Sequence, residues 1–93
     1  MKLFKSVDER LCDIGFVKTG ESKQFGATYE RTNNEYNYVQ CLDLLHKANG
    51  RHLIQSYQKD VNSDKFNNSV GLSIYEAKLA VKKMRQMGYK LIK

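Results

Sequence analysis

The chain has 93 residues, of which 41% are hydrophobic and 28% charged, with 16 lysines and arginines against 10 acidic residues. This length and composition are typical of a globular protein, so they exclude a fibrous or disordered chain and predict one domain over residues 1–93. No apolar run approaches the roughly 18 residues of a membrane span, and the N-terminus lacks a signal-peptide core, so we expect a cytoplasmic protein without membrane contact.

A first helix is predicted near the N-terminus. Its apolar residues recur at helical spacing, namely Leu3, Val7, Leu11 and Ile14. Gly15 follows where a left-handed residue often ends a helix. Ser6 and Glu9 form a capping box, so the first regular turn begins either before Leu3 or at Ser6.

Three strands are predicted next. Residues 25–30 alternate apolar and polar side chains, as a half-buried strand does, and a further short strand at residues 16–18 is left open. Residues 36–46 and 51–59 form two more β-type runs. Asn49-Gly50 between them favours a type I′ hairpin turn, because that turn needs positive φ at both central residues.

This turn predicts the register of the hairpin, with Ala48 opposite Arg51 and Leu45 opposite Ile54. The first face of the sheet then carries Tyr36, Tyr38, Leu42, Leu44, Leu53 and Tyr57. The second face carries Val39, Cys41, Leu45 and Ile54, interrupted by polar residues. If both helices cover the first face, the semi-apolar second face is left open to a protein partner or a second copy.

A long surface loop and a final helix complete the chain. Residues 60–72 are rich in Asn, Ser and Asp, with Phe66 as their one predicted anchor. The helix spans residues 74–87, because Ser73 and Glu76 form a second capping box and Gly88 ends it. The residues predicted to face the sheet are Ile74, Ala77, Ala80, Val81, Met84 and Met87. The fold class is therefore α+β, a three-stranded antiparallel meander flanked by two helices in the order α-β-β-β-α.

The whole net charge of +6 lies in the last helix and the residues that follow it. Residues 1–77 contain ten basic and ten acidic residues, whereas residues 78–93 contain six basic residues and no acid. Lys78, Lys82 and Arg85 form a stripe along the edge of the predicted buried arc, and Lys83 lies beside them. These four cations are candidates for contact with phosphates or with an acidic protein surface. The alternative is that they only complement the helix dipole.

No pattern in the sequence is typical of catalysis or metal binding. Cys12 and Cys41 lack the spacing of a metal site or a disulfide framework, which favours a reducing compartment. His46 and His52 flank the hairpin turn and are predicted to point to opposite faces. Glycine-rich phosphate loops, HExxH and GxSxG are absent from the sequence. We therefore expect no metal, no cofactor and no enzymatic activity.

The segment Gly71-Leu72-Ser73-Ile74-Tyr75-Glu76-Ala77-Lys78-Leu79-Ala80, together with the predicted order of elements, resembles the second-helix region of double-stranded-RNA-binding domains. In that family a glycine and a serine precede two lysines, an alanine and a third lysine, which contact phosphates across the major groove. Ile74 and Tyr75 replace the first two lysines here, and Lys78 matches the third. The resemblance implies a nucleic-acid-binding domain that uses the basic helix.

Three functions follow from these patterns. The first is a small protein-interaction module, an adaptor or inhibitor, acting through the second sheet face or the basic helix. The lack of proline and the abundance of Asn, Lys and Tyr are typical of AT-rich genomes and suggest a phage or mobile element as its source. The second function is nucleic-acid binding. The third is small-molecule binding at Tyr36, Tyr38 and Tyr57, but packing of these tyrosines in the core explains the cluster better.

Overall fold

The computed structural model describes residues 5–59 and 68–89. Its elements are α1 (Val7–Asp13), β1 (Val17–Ser22), β2 (Gly26–Asn33), β3 (Tyr38–Leu45), β4 (Leu53–Lys59) and α2 (Ile74–Gln86). The strands form one antiparallel sheet in the order β1-β2-β3-β4. The α+β class is confirmed, but the sheet has four strands instead of the predicted three.

The additional strand is β1, which extends the short strand considered at residues 16–18. It pairs with β2 from Val17 opposite Glu30 to Ser22 opposite Gly26, with a bulge between Lys18 and Gly20. Val17 is the one apolar residue of the strand, so it lacks the alternation by which strands are predicted. As an edge strand it is held by backbone pairing, and a bulge of this kind also protects an edge against unwanted pairing.

The helix α1 begins at the second of the two predicted starts. Ser6 is its N-cap, and its hydroxyl accepts a hydrogen bond from the Glu9 amide at 3.1 Å. Gly15 follows the helix with φ +98°, as its predicted role in ending the helix requires. Leu3, on which the alternative start depended, lies outside the described residues.

The predicted register of β3 and β4 is wrong by one residue. Leu45 pairs with Leu53 and Leu44 with Ile54. A type I′ turn needs positive φ at both Asn49 and Gly50, but only Gly50 has it, at +81°. Residues 46–52 therefore form a longer connection, and the shift moves every β4 side chain to the face opposite the predicted one.

The hydrophobic core lies between the sheet and the two helices. Its residues are Val7, Leu11, Phe16, Ala27, Tyr29, Leu42, Leu44, Leu79, Ala80, Met84 and Tyr89. The residues that α2 buries are Glu76, Leu79, Ala80, Lys83 and Met84. The predicted arc is thus wrong, because it omitted Leu79 and included Ile74, which is 77% exposed. The buried side of α2 is rotated by about 80° from the prediction, at 100° per residue.

Arg31 joins four parts of this core. Its guanidinium donates to the Ile14 carbonyl at 3.1 Å and to Gln40 Oε1 at 2.9 Å, and lies 4.2 Å from the ring centre of Phe16. It also forms a 2.7 Å ion pair with Glu76. A salt bridge at the first turn of α2 therefore explains why Glu76 is buried, because a buried carboxylate needs a charged partner.

Part of the predicted surface loop continues the sheet. The Gln58 amide donates to the Asn68 carbonyl at 2.7 Å, and the Val70 amide donates to the Ser56 carbonyl at 3.0 Å. Ser69 accordingly lies opposite Tyr57 in an antiparallel bridge. Residues 68–70 thus cover one end of the β4 edge, while Phe66, the predicted anchor, lies outside the described residues.

Candidate binding surfaces

Three of the four predicted cations lie on the side of α2 that faces away from the core. Lys78, Lys82 and Arg85 are exposed, and Ile74 is on the same side. We call Ile74, Lys78, Lys82 and Arg85 the outer face of α2. The rotation of the helix moves the three cations from the predicted edge of the buried arc to the middle of the exposed side.

Lys83, the fourth predicted cation, is buried instead. Its side chain is 11% exposed, and its ammonium lies 2.7 Å from Glu21 Oε1 and 3.2 Å from Asp8 Oδ2. The hydrogen bond from Lys83 lowers the pKa of Glu21. Lys83 therefore connects α2 to α1 and β1 through ion pairs. Because its ammonium is paired inside the fold, it is not available to a binding partner.

Asp8 is the centre of this charge cluster. It accepts hydrogen bonds from the Tyr29 hydroxyl at 2.6 Å and from the Lys18 ammonium at 3.1 Å, besides the contact with Lys83. Burial alone would raise the pKa of Asp8, but these three donors outweigh it and hold the pKa below its usual value. The cluster stabilises the packing of both helices.

The cations of the outer face of α2 have no such partners within residues 5–59 and 68–89. Several other cations are paired with carboxylates, namely Lys5 with Asp13, Lys18 with Asp8, Arg31 with Glu76 and Lys59 with Glu30. The helix dipole accounts for Arg85, which lies in the last turn. It does not account for Lys78, five residues into the helix, because the effect is confined to the terminal turns.

The sheet face away from the described helices differs in membership from the predicted second face. Val39, Cys41 and Leu45 lie on it as predicted, but Ile54 lies on the helix side, and Leu53 and Tyr57 take its place. We call this surface the open face. By register its side chains are those of Val17, Thr28, Glu30, Thr32, Val39, Cys41, Asp43, Leu45, Leu53, Gln55, Tyr57 and Lys59, with Phe25 at one end.

One end of the open face is apolar. Leu45 and Leu53 pair across β3 and β4, and Gly26 continues their row on β2. The Phe25 ring lies beside this row and covers Gly20, with one atom 3.6 Å from the place where Gly20 would carry a Cβ. Phe25 and Leu53 are each 44% exposed. Because Gly26 has no side chain, the row of Leu45 and Leu53 ends at β2 without one, beside the partly exposed Phe25.

The rest of the open face holds two carboxylates. Asp43 lies in the next row and accepts a 2.8 Å hydrogen bond from the Tyr57 hydroxyl. Burial and this bond raise the pKa of Tyr57. Glu30 lies one row further and contacts the Lys59 ammonium at 3.4 Å. The hydrogen-bond partner of Asp43 is thus a neutral hydroxyl and not a cation.

The structure brings together two histidines that the predicted register separated. The ring centres of His46 and His52 lie 4.8 Å apart, and Tyr89 packs against both at 4.8 and 4.7 Å. The longer connection allows this stack, because His46 and His52 now both turn toward the end of α2. The hydroxyl of Tyr89 is buried, and no hydrogen-bond partner for it lies in the described part of the chain.

The remaining candidate residues do not form a site. Tyr36 is exposed in the turn after β2, whereas Tyr57 is on the open face, so the tyrosine cluster of the predicted core face is wrong. Cys12 is exposed and Cys41 is buried, and burial raises the pKa of the Cys41 thiol. Among the described residues, no group of three or more His, Cys, Asp or Glu side chains is placed to hold a metal ion.

Leu53 and Tyr57 of the open face and the buried cation Lys83 were placed wrongly from the sequence. Leu53 and Tyr57 were assigned to the core face because of the register. Lys83 was assigned to the surface because the predicted arc left out Leu79, the only leucine of α2. Leu79 was therefore the sequence signal that could have located the buried side of α2. An arc centred on Leu79 includes both Lys83 and Glu76.

Comparisons with protein-family models, with curated proteins and with solved structures each returned no match to this chain. In the described part of the chain, no helix is long and apolar enough to cross a membrane. The two surfaces available to a partner are the open face of the sheet and the outer face of α2.

Proposed function

We propose that this protein is a small non-enzymatic protein-interaction module that binds its partner through the open face. The observation that carries the proposal is the exposure of large apolar side chains there, with Val17 at 63% and Phe25 and Leu53 at 44% each. Both described helices lie on the other side of the sheet, where the core is. Burying these side chains in a partner would be favourable in proportion to the apolar area removed from water.

The distribution of side chains on the open face supports a protein partner. An antiparallel sheet that faces water usually carries polar residues on that side. Here Leu45 and Leu53 form an apolar row, and an acidic residue, Asp43, lies in the row beside them. An apolar centre next to a few polar groups is the usual composition of a protein interface.

Adjacent residues of β4 provide a matched test. Leu53 and Ile54 are 44% and 37% exposed, but they lie on opposite faces of the sheet. We expect Leu53→Asp to abolish capture of partner proteins from a lysate of the source organism, and Ile54→Asp to leave capture intact. Circular dichroism confirms that both variants fold, and nuclease treatment of the lysate removes contacts made through nucleic acid. Equal capture by wild type and Leu53→Asp would contradict the proposal.

A second candidate function is nucleic-acid binding through the outer face of α2. It is favoured by Lys78 and Lys82, whose charges are unpaired in the described residues and are not explained by the helix dipole. Their Cα atoms lie about 6 Å apart along the helix axis, given a rise of about 1.5 Å per residue. The resemblance of residues 71–80 to double-stranded-RNA-binding domains points the same way.

Salt dependence tests this second candidate. Affinity for duplex RNA or DNA should fall steeply with salt, and Lys82→Gln should reduce the slope of log K against log salt by about one. Gln86→Ala, an exposed neutral position on the same helix, serves as the control. Absence of binding at low salt would dismiss the nucleic-acid function and leave the protein-interaction function standing.

A further inference from the structure

The open face and the outer face of α2 are complementary surfaces on opposite sides of one molecule. The outer face of α2 carries three cations and an exposed isoleucine. The open face carries Glu30 and Asp43 against the single ammonium of Lys59, together with an apolar row. Because the core lies between the sheet and α2, the two surfaces face in opposite directions.

The spacing of the two surfaces also agrees. Along α2, Ile74, Lys78 and Lys82 follow one another at intervals of four residues, or about 6 Å. On the open face, the rows of Leu45, Asp43 and Glu30 follow one another at intervals of two residues along the strands, or about 6.7 Å. A helix laid along the strands with Ile74 on the apolar row would therefore place Lys78 near Asp43 and Lys82 near Glu30.

We propose that the open face accepts α2 of a second copy of this chain, with Ile74 between Phe25 and Leu53 and Lys78 against Asp43. The inference rests on the proposed function, because it names the partner that the open face would bind. A helix on the uncovered side of an antiparallel sheet completes a layered arrangement in which the sheet is buried on both faces. The contact is head-to-tail, because the open face of one copy binds α2 of the next. Each terminal copy keeps one of its two surfaces free, so further copies can add and form open-ended stacks.

The net charge of the chain makes the salt dependence of this association diagnostic. Copies that each carry +6 repel one another, and the repulsion grows as salt is lowered. Non-specific association would therefore weaken at low salt. Paired carboxylates and cations act in the opposite sense, so association that strengthens when salt falls from about 300 mM to about 50 mM requires complementary patches.

Charge reversal at each surface gives the decisive experiment. In sedimentation velocity and light scattering at increasing protein concentration, the wild type should form dimers and longer species. Asp43→Lys and Lys78→Glu should each lower the association constant by about tenfold or more, the size expected for an interface anchor. Lys47→Glu, a charge reversal in the exposed β3–β4 connection, should leave it unchanged apart from the effect of net charge.

Mixing variants separates head-to-tail contact from other arrangements. Leu53→Asp keeps an intact α2 and Lys78→Glu keeps an intact open face, so an equimolar mixture of these two should form a 1:1 dimer. The dimer should not extend, because the two altered surfaces do not match each other. The double variant with Asp43→Lys and Lys78→Glu should recover stacking, because the reversed charges again attract one another.

Three outcomes would overturn the inference. They are a wild type that stays monomeric at about 1 mM protein and low salt, a wild type whose association is unaffected by either charge reversal, and a mixture that stays monomeric although the wild type associates. None of these results touches the proposed function. Capture of a different protein that depends on Leu53 and not on Ile54 would still support binding through the open face.

Discussion

Replacing Lys83 by methionine should destabilise the protein although the new side chain is also unbranched and only one atom shorter. Removing one partner of a buried ion pair typically costs about 3–5 kcal/mol, because the other charge is left without compensation. Here the carboxylates of Asp8 and Glu21 are 32% and 36% exposed, and Asp8 keeps its bonds from Lys18 and Tyr29. Water and these donors offset part of the loss, so we expect a decrease of about 2 kcal/mol in the free energy of unfolding.

Lys82→Met is the matched control for this prediction. Lys82 is the neighbour of Lys83 on the same helix but is exposed, so its replacement should change stability by no more than about 0.5 kcal/mol. In thermal unfolding followed by circular dichroism, Lys83→Met should melt roughly 8–16 °C below the control, at about 4–8 °C per kcal/mol for a chain of this size. Equal melting temperatures of the two variants would show that the ion pairs of Lys83 do not stabilise the fold. Lys83 would then be a candidate for partner binding, like the exposed cations of α2.

Three further predictions concern the pH dependence, a glycine and a buried hydroxyl. Since the pKa values of Asp8 and Glu21 are lowered on folding, the stability they provide should be complete above about pH 5 and be lost as the pH falls through their folded values. Urea unfolding with the same midpoint at pH 7 and pH 3 would contradict this. Gly26→Ala should cost more than about 3 kcal/mol, because φ is +117° and a Cβ would overlap a carbonyl of β3, whereas Gly71→Ala, in open space, should change stability by less than about 0.5 kcal/mol. Similar urea midpoints for the two variants would refute that reasoning. Tyr89→Phe should leave the melting temperature unchanged or raise it, because the lost hydroxyl has no partner among the described residues, and a fall of more than about 5 °C would speak against it.

Features of the fold set by local chemistry were predictable from the sequence. Both capping boxes form as expected, at Ser6 with Glu9 and at Ser73 with Glu76. Each depends on residues three positions apart, so no knowledge of the tertiary structure is needed. The α+β class followed in the same way, from the apolar periodicity of the helices and of the β-type runs.

Features that depend on distant partners were not predictable. The strand β1 is held by its pairing with β2, and its own sequence, with Val17 as the one apolar residue, gives little sign of it. The hairpin register differs from the prediction because residues 46–52 form a longer connection than a type I′ turn, and within this connection His46 and His52 stack against Tyr89 from the end of α2. A slip of one residue then exchanged Leu53 and Ile54 between the faces.

The candidate surfaces show the same division. Lys78, Lys82 and Arg85 were recognised correctly as exposed cations, because charged residues without a partner remain in water. Lys83 was indistinguishable from them by composition, since its burial depends on Asp8 and Glu21 in other elements. On the open face, Val39, Cys41 and Leu45 were placed correctly because they lie on β3, where the register error had no effect.

The ion pair between Lys83 and Asp8 joins residues 75 positions apart in the chain. During synthesis, α1 and the whole sheet leave the ribosome before Lys83 does. Asp8 and Glu21 can therefore pair with Lys83 only after α2 has been synthesised. Contacts of such long sequence separation are formed late and at high cost in chain entropy, and they slow folding. The core that holds Leu42 and Leu44 includes residues of α2, so it is complete only when α2 has packed on the sheet. Incompletely covered apolar side chains are a general cause of aggregation in partly folded chains.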